Sequence, residues 1–568
     1  MHNDRELEND HDPLLGSQRR DNNNNDNDDN ITSFTIPLKP RQQDDYNNTN
    51  NNNNNNASGS RHSNEENDDD DDHDYTNQEE RRLLDTDDNS ENNNNNDNNE
   101  QRPSPEPMEV RDSDDDARIR VSKWDNPIWR YTLLAIFLAM FLIMFKIVLV
   151  IIVHSEMIER GPDRVLFNGT EYFDPLVVLV SLDGFQENYL HRNITPNLVQ
   201  FASNGMRAEY MHPAFPSVTF PNHWTLATGL HPESHGIVAN EFYDPILKKD
   251  FSIQDDDARW WKGEPIWMTA KRQEKESALI MWPGSFITGL KPERVIPFND
   301  TMPAIEKMDI ALNWIDLPRH ERPNFIGVYI QQIDEKGHQY GPEGSDINKA
   351  IKDMDQAIGH LWDGLAERNL LGRIHIVIVS DHGMAEVDRS RVIYYDDILS
   401  STSKSYLRER EAGPLLGLRP KEDAPKHAVQ QIYQELYNYT QTHPEPHFQV
   451  YLRDDVPIRL HYNHNERIAP IVAIPDVGYV MVDHKEWHPT SSKEPFTRHG
   501  IHGYDNLAKE MRSIFIAYGP VIDSFYGRRS VVAPFFNTEV YGFVCELLNI
   551  ESNPIQNGTM SGQFVRIR

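Results

Sequence analysis

The sequence contains a single cysteine, Cys545, among 568 residues. One cysteine cannot form an intramolecular disulfide, so a disulfide-stapled scaffold and a cysteine-rich zinc finger are both excluded. Any metal site must therefore be built from histidine and carboxylate side chains. Basic residues are scarce too, with 56 Lys and Arg against 90 Asp and Glu. This balance argues against a nucleic-acid-binding partner held by a basic patch.

Most of the excess negative charge lies in the first 120 residues. They contain asparagine runs at residues 50–56 and 92–96 and an aspartate run at residues 68–72. Aromatic residues are few and apolar periodicity is weak, so this segment buries too little apolar surface to offset the entropy lost on ordering. We therefore predict that residues 1–125 form a disordered, acidic, Asn/Asp-rich tail in the cytosol.

Long apolar runs are equally rare. One is long enough to cross a membrane, at residues 131–153, and Lys146 is its only charged residue. At about 1.5 Å per residue, a helix of this length spans the hydrocarbon core of about 30 Å. Four basic residues between positions 118 and 130 precede the run. By the positive-inside rule, the sequence predicts a single-pass type II signal anchor, with residues 160–568 lumenal or extracellular, at the cell surface or in a vacuole.

Asn-X-Ser/Thr sequons after the predicted span agree with this orientation, because such sequons are glycosylation acceptors in lumenal and secreted domains. The tail also contains sequons, and it is the basic flank and the later sequons together that favour a type II protein. The candidate glycosylation sites are Asn168, Asn193, Asn299, Asn438 and Asn557.

Three apolar runs in residues 160–568 each lead to an aspartate, and helical patterns lie between them near residues 196–205 and 345–372. Near-continuous apolar runs of this length are typical of buried parallel strands. Alternating strands and helices predict an α/β fold with a mostly parallel sheet. The runs are LVVLV, FIGVYI and IHIVIV at residues 176–180, 325–330 and 374–379, and the aspartates are Asp183, Asp334 and Asp381.

Ligands of such sheets bind outside the carboxyl ends of the strands, so we expect the three aspartates to converge at one edge. Crowded carboxylates repel one another, and divalent cations relieve that repulsion. Nearby histidines, His338, His382 and His502, complete a donor set that suits zinc. Two metals roughly 3.5–4 Å apart form the clamp used for phosphoryl displacement. His499 is expected to be an ordinary structural or surface residue.

Five motifs together resemble the nucleotide pyrophosphatase/phosphodiesterases of the alkaline phosphatase superfamily. They are SLDGF, FPSVTFPNHWTLATGLHPESHGI, DEKGHQYGP, VSDHGM and HGYDN, in the family's order between about residues 176 and 520. The resemblance implies an alkaline phosphatase-like α/β/α sandwich and a fungal type II membrane hydrolase. It also implies cleavage of nucleotide pyrophosphate and 5′-phosphodiester bonds, in nucleoside triphosphates, dinucleotides and nucleotide-sugars, with release of nucleoside 5′-monophosphates. Nucleotide metabolism and phosphate scavenging are the roles that would follow.

The resemblance also implies two zinc ions and a threonine nucleophile, Thr219, that forms a covalent threonyl-nucleotide intermediate. Metal coordination would activate its hydroxyl, which is a poor nucleophile when free. One zinc would be held by Asp183, Asp381, His382 and the Thr219 hydroxyl, and the other by Asp334, His338 and His502.

Substrate contacts are implied around the same threonine. Asn222 and the backbone N–H of Phe220 would hold a non-bridging phosphate oxygen. Phe220, Phe298 and Tyr329 occupy positions where the family stacks the nucleoside base. The segment FPSVTFPNHW is too rich in proline for a regular helix, so we expect a rigid loop in which Ser217 is an ordinary turn hydroxyl.

Two alternatives stay open at the level of the sequence. The first is a phosphomonoesterase or a lipid-headgroup phosphodiesterase on the same fold. The second is a catalytically dead adhesion or receptor ectodomain. Residues 385–495, between the Asp381 and His502 motifs, are expected to be an insertion of loops and a few short elements packed on the catalytic core. The sequence leaves the physiological substrate and the oligomeric state open.

Overall fold

The computed structural model of the chain describes residues 127–159, 165–491 and 494–560. The predicted acidic tail, residues 1–125, lies outside these ranges. The apolar run forms helix α1, Pro127–Glu159. Within α1, Ile128–Leu149 has a mean hydropathy of 2.7, and its apolar side chains are exposed. An exposed apolar helix of this length has the dimensions of a membrane anchor.

An eight-stranded sheet forms the centre of the part that follows. Its strands, in chain order, are β1 Val177–Leu182, β2 Met206–Ala208, β3 Ser277–Ile280, β4 Arg294–Ile296, β5 Phe325–Ile330, β6 His375–Val379, β7 Phe515–Tyr518 and β8 Ser530–Val532. The spatial order is β8-β2-β7-β6-β1-β5-β3-β4. Strand β7 runs antiparallel to both of its neighbours, and the other pairs are parallel. The predicted mostly parallel α/β sheet is confirmed.

Helices cover both faces of the sheet. Alternate residues of β1 point into two different cores, with Val177 packing into one and Val178 into the other. The first core includes Trp224 of helix Thr219–Thr228, and the second includes Ile351 of helix Ser345–Glu367. This arrangement is the predicted α/β/α sandwich. The main helices are α2 Pro196–Asn204, α3 Thr219–Thr228, α4 Ile266–Arg272, α5 Ala304–Ile315, α6 Gln332–Tyr340, α7 Ser345–Glu367, α8 Ala428–Thr442, α9 Pro520–Tyr526 and α10 Glu539–Leu548.

Short elements connect these layers and line the rim of the sheet. Helical turns of four to six residues are Pro232–His235, Tyr395–Ile398 and Ser401–Tyr406. Minor strands are Leu166–Phe167, Tyr172–Phe173, Met211–His212, Phe242–Asp244, Lys249–Phe251, Ala385–Glu386, Val392–Tyr394, Val480–Val482, Gly500–Ile501 and Phe535–Phe536.

The segment around Thr219 differs from its predicted form. The expectation of a loop was wrong, because Thr219 is the first residue of helix α3. Pro221 is the third residue of this helix, and N–H groups in the first turn have no intrahelical acceptor, so a proline there costs no hydrogen bond. The helix ends at Gly229, whose φ of 70° lies in the left-handed region.

The insertion is also more ordered than the sequence suggested. Strands Leu416–Leu418, Ile471–Pro475 and Phe448–Leu452 form an antiparallel sheet in that spatial order. Helix α8 packs on this sheet through Ile432, which belongs to a separate hydrophobic core. The insertion contacts the rest of the domain through buried Arg467, whose Nε lies 2.8 Å from Asp244 Oδ2. The sequence missed this core because its strands are short and separated by long connections.

Candidate active site

The three aspartates lie at neighbouring strand ends. Strand β1 has β5 on one side and β6 on the other, and all three run parallel. Asp183 follows β1 directly, Asp334 lies in the first turn of α6 after β5, and Asp381 comes two residues after β6. All three side chains are buried. The sheet register therefore brings together carboxylates that are far apart in the chain.

A first cluster of possible metal ligands comprises Asp183, Asp381 and His382. His382 Nε2 lies 3.0 Å from Asp381 Oδ2 and 3.4 Å from Asp183 Oδ1. The Thr219 hydroxyl oxygen lies 3.3 Å from the same nitrogen. The structure thus places the predicted nucleophile beside this cluster.

A second cluster comprises Asp334, His382 and His502, with His338 beside it. His338 Nε2 lies 3.4 Å from Asp334 Oδ2, and His502 Nε2 lies 3.3 Å from Asp334 Oδ1. The His382 and His502 rings stack with their centroids 3.6 Å apart. The two clusters are therefore contiguous, as a two-metal site requires.

The unprotonated Nε2 atoms of His338 and His502 face each other. His338 Nδ1 lies 2.7 Å from the Gly500 carbonyl, and His502 Nδ1 lies 2.9 Å from the Ser217 carbonyl. A carbonyl can only accept, so each Nδ1 carries the proton. Burial holds the pKa of both rings well below the usual range, so both are neutral and each Nε2 presents a lone pair. The two Nε2 atoms are 3.2 Å apart, with their lone pairs directed towards each other.

Buried carboxylate oxygens in the same site accept no hydrogen bond. They are Asp183 Oδ1, Asp334 Oδ1 and Asp381 Oδ2. Burial raises the pKa of Asp183, and the charges of Asp381 and Asp334 raise it further. Unpaired buried oxygens and opposed imidazole lone pairs are both unfavourable alone, and a divalent cation satisfies both. The donor set of imidazole nitrogen and carboxylate oxygen fits zinc.

Thr219 begins α3, so its hydroxyl lies at the positive end of a helix dipole. Its side chain is mostly buried, with 8% exposed. A helix N-terminus stabilises a nearby anion, whether an alkoxide or a phosphate. The expectation that Ser217 is not part of the site agrees with its contact, because its hydroxyl donates to the Tyr504 carbonyl at 3.1 Å.

The expectation that Asn222 contacts phosphate does not fit the structure. Its side chain is fully buried, and both ends of its amide are occupied. The oxygen accepts from the Ala214 N–H at 2.8 Å and from the Asn537 amide at 2.9 Å. The nitrogen donates to the Pro216 and Val218 carbonyls, both at 2.9 Å. Asn222 therefore holds the chain before α3 in place.

Asn240 is the amide that lies at the start of α3, and the sequence analysis missed it. Its Oδ1 accepts the Phe220 N–H at 3.0 Å, so that N–H is not free for phosphate as predicted. The Asn240 side chain is half-exposed. Because its oxygen is held, its NH₂ group is oriented as a donor beside Thr219. Asn240 lies 21 positions after Thr219, and no pattern in the sequence between them indicated the contact.

The predicted base-stacking residues differ in their exposure. Tyr329 is buried and its hydroxyl donates to Asp183 Oδ2, so the expectation that it stacks on a base was wrong. Phe220 is 5% exposed and packs near Trp261, with ring centroids 6.2 Å apart. Phe298 is half-buried in the loop after β4.

His223 is a second residue of the site that the sequence analysis missed. It lies one helical turn after Thr219, and its Nδ1 is 2.9 Å from the Thr219 carbonyl and 3.4 Å from Asp381 Oδ2. Its Nε2 is 2.8 Å from Ser181 Oγ. The buried His223 ring therefore contacts Asp381 and limits the movement of its carboxylate. Recognition of a helix starting at Thr219 would have revealed the spacing of four.

Residues outside the centre occupy ordinary positions. The His499 side chain is exposed, and its backbone N–H donates to the His338 carbonyl at 2.9 Å. Among the candidate glycosylation sites, Asn168 is half-buried and its amide nitrogen donates to the Arg368 carbonyl at 3.0 Å. The exposed sequons are Asn193, Asn299, Asn438 and Asn557.

Comparison with known proteins identifies the family. Residues 177–505 match the family described as Type I phosphodiesterase / nucleotide pyrophosphatase. An uncharacterized pyrophosphatase/phosphodiesterase of Schizosaccharomyces pombe is 41% identical over 404 residues, which cover 70% of this chain and 81% of that relative. Ectonucleotide pyrophosphatase/phosphodiesterase family member 3 of Bos taurus is 36% identical over 398 residues. That match covers 68% of this chain but 44% of the bovine protein, so this chain spans less than half of the animal relative.

Solved structures agree with the sequence match. Human ectonucleotide pyrophosphatase/phosphodiesterase 5 superimposes with a TM-score of 0.61 at 32% identity, over 69% of this chain and 99% of that chain. An inactive threonine-to-alanine variant of the murine protein, in complex with AMP, gives a TM-score of 0.61 at 30% identity over 69% of this chain and 100% of that chain. The chain therefore belongs to the type I phosphodiesterase/nucleotide pyrophosphatase family and is a hydrolase of that family.

Proposed function

We propose that this protein hydrolyses nucleotide pyrophosphate and 5′-phosphodiester bonds at a two-zinc site and releases nucleoside 5′-monophosphates. The observation that carries the proposal is the meeting of the bare His338 and His502 nitrogens at 3.2 Å beside buried carboxylate oxygens that accept no hydrogen bond. Cations relieve this unfavourable arrangement, and it lies next to a threonine at a helix N-terminus. Nucleoside triphosphates, dinucleotides and nucleotide-sugars all present the required bond beside a base.

The two clusters support the ligand sets, and the family resemblance divides the histidines between the two ions. Asp183, Asp381, His382 and the Thr219 hydroxyl would hold one zinc, and Asp334, His338 and His502 the other. Bound zinc supplies Lewis acidity, which lowers the pKa of the threonine hydroxyl and neutralises charge on the phosphoryl group. His382 Nε2 lies 3.3 Å from Thr219 Oγ1, so both of these ligand atoms face the same point in the site.

The chain's own groups then account for the transfer. Thr219 Oγ1 gives up its proton to solvent and attacks phosphorus, the bond from phosphorus to the leaving oxygen breaks with its electron pair staying on that oxygen, and a covalent threonyl-nucleotide forms. The Asn240 NH₂ group and the dipole of α3 stabilise the developing charge on a non-bridging oxygen. Water then cleaves the bond between phosphorus and Thr219, which regenerates the hydroxyl and releases the nucleoside 5′-monophosphate.

Nucleotide substrates are favoured by the relatives. The murine relative holds AMP in an inactive variant in which a threonine is replaced by alanine. In this chain, half-exposed Phe298 provides an aromatic face for a base. The exposed apolar helix α1 supports a single-pass type II anchor, and the exposed sequons support a lumenal or extracellular, glycosylated catalytic domain.

Substitution of the two neighbouring hydroxyls tests the proposal. The full chain in detergent is assayed with a thymidine 5′-monophosphate p-nitrophenyl ester and with p-nitrophenyl phosphate. We expect Thr219→Ala to lower kcat by at least ~10³-fold, as the loss of a covalent nucleophile does. Ser217→Ala keeps the carbonyl that accepts from His502 and is the matched control, with activity within a few-fold of wild type.

The alternatives give different results in the same assay. Faster turnover of p-nitrophenyl phosphate than of the thymidine ester would identify a phosphomonoesterase. Absence of bound zinc, and of activity after zinc is added back, would identify a catalytically dead ectodomain. Equal losses in Thr219→Ala and Ser217→Ala would show that Thr219 is not the nucleophile.

A further inference from the structure

A buried lysine lies beside the site without a carboxylate partner for its hydrogen bonds. Lys307 of α5 is fully buried. Its Nζ donates to the Gln331 side-chain oxygen at 2.6 Å and to the Tyr329 carbonyl at 3.0 Å. Both acceptors are neutral. Burial lowers the pKa of Lys307 to about 7, and the nearby Glu335 carboxylate only partly offsets this. A buried amine is costly, so its retention calls for a role.

The acceptors of Lys307 belong to the segment that carries the metal site. Tyr329 lies near the end of β5 and donates its hydroxyl to Asp183. Gln331 immediately precedes α6, the helix that carries Asp334 and His338. A single ammonium or amine group therefore ties α5 to the backbone that sets the position of the metal ligands.

A glutamine pair extends the same network to the loop after β4. Gln331 Nε2 donates to the Asp300 carbonyl at 3.3 Å, and Gln332 Nε2 donates to the Met302 carbonyl at 3.0 Å. These carbonyls belong to the loop of residues 297–303, which contains Phe298 and leads into α5 at Ala304. We call it the Phe298 loop. The Gln331 amide is oriented because its oxygen is held by Lys307, which leaves its nitrogen to hold the loop.

We propose that Lys307 is a positioning residue that acts through Gln331. It fixes the Phe298 loop against the end of β5 and thereby sets the preference for nucleoside over non-nucleoside phosphodiesters. This inference rests on the proposed function, because it assigns the loop to base recognition. Lys307 touches no substrate, so its effect is on the KM of substrates with a base. The chemistry at Thr219 depends on other contacts.

Two substrates that differ in the base provide the test. The full chain in detergent is assayed with the thymidine 5′-monophosphate p-nitrophenyl ester and with bis(p-nitrophenyl) phosphate, which has no base. We expect Lys307→Met to raise KM for the thymidine ester by about tenfold with kcat changed by less than about threefold. The kcat/KM for the thymidine ester divided by that for bis(p-nitrophenyl) phosphate should fall by about the same factor.

A second variant and a double variant keep the test independent of one substitution. Gln331→Met removes the oxygen that accepts from Lys307 and the NH₂ group that donates to the Asp300 carbonyl, but it retains Lys307. It should lower the ratio of kcat/KM values to a similar extent. The double variant should be no worse than either single variant, because both remove one connection. Lys349→Met is the matched control, since Lys349 of α7 is exposed and pairs with Asp353 at 3.1 Å.

The outcomes separate this inference from the proposed function. A wild-type enzyme without preference for the thymidine ester would contradict the proposed function itself. A wild-type preference that both Lys307→Met and Gln331→Met retain would overturn the role of Lys307. An equal fall in kcat for both substrates would also overturn it, because it would show a general effect on the metal site.

Discussion

Two asparagines near Thr219 differ in what their amides contact, and this difference predicts opposite phenotypes. Asn240→Ala removes a half-exposed donor beside the nucleophile, so we expect kcat to fall by about 10²-fold with little change in stability. Asn222→Ala removes an amide that makes four buried hydrogen bonds. We expect it to lower the free energy of unfolding by about 2–4 kcal/mol.

Steady-state kinetics and thermal unfolding of the same preparations check this prediction. Asn240→Asp serves as the control for shape, because it retains the oxygen that accepts from Phe220 but replaces the NH₂ donor. It should be as inactive as Asn240→Ala. An inactive Asn222→Ala variant with wild-type stability, beside a fully active Asn240→Ala variant, would restore the original assignment of Asn222.

Individual residues were predictable where strand geometry constrained them. Asp183, Asp334 and Asp381 follow apolar runs, and parallel strands bring their carboxyl ends together whatever the loops do. Asn222 and Tyr329 were misassigned because their roles depend on side-chain direction. Asn222 lies three residues after Thr219, and a helix turns it into the protein interior, whereas a loop would have left it free.

At the level of elements, the end of β1 closely approaches the start of α6. Gly184 has a φ of 68°, and a Cβ added there would lie 2.9 Å from Asp334 Cα. We expect Gly184→Ala to push α6 away from β1 and separate Asp183 from Asp334. Activity should fall by more than about tenfold, since small misplacements of a site cost that much. Zinc content should fall as well.

Gly289→Ala distinguishes this contact from backbone strain alone. Gly289 has a φ of 86°, and nothing lies within 4 Å of an added Cβ. Both variants therefore carry a similar conformational cost of about 1 kcal/mol, but only one disturbs the ligands. Zinc analysis and kinetics should show a loss in Gly184→Ala only. Similar zinc and activity in the two variants would mean that the approach of β1 to α6 is not critical.

Longer elements were easier to predict than short ones. The amphipathic pattern predicted that α7 starts at Ser345, as it does, and the buried face of this helix includes Ile351 and Ile358. Helix α3 escaped prediction because Pro221 was taken to exclude a helix, although a proline is compatible with the first turn. The insertion was underestimated because strands of three to five residues carry too little periodicity to show a sheet.

On the scale of the whole molecule, the three converging strands couple metal binding to folding. Without cations, the carboxylates of Asp183, Asp334 and Asp381 are buried together, and burial raises the pKa of Asp334 to about 7. At Asp334 the folded metal-free protein therefore holds a proton between about pH 4 and pH 7 that the unfolded chain has lost. This contribution of Asp334 to stability falls as the pH rises through the interval, because the proton that relieves the repulsion is lost.

Chelation should therefore lower the melting temperature of the full chain, and by more at pH 8 than at pH 5.5. Zinc at 1,000 times its Kd stabilises the folded state by about 4 kcal/mol, so its return should restore both the melting temperature and the activity. Differential scanning fluorimetry in detergent, with and without a chelator, measures the shift at each pH. Asp334→Asn removes one of the repelling charges, so its chelated form should lose less stability between pH 5.5 and pH 8. A melting temperature that is unaffected by chelation at both pH values would show that the aspartate cluster folds without metal and would contradict the two-zinc site.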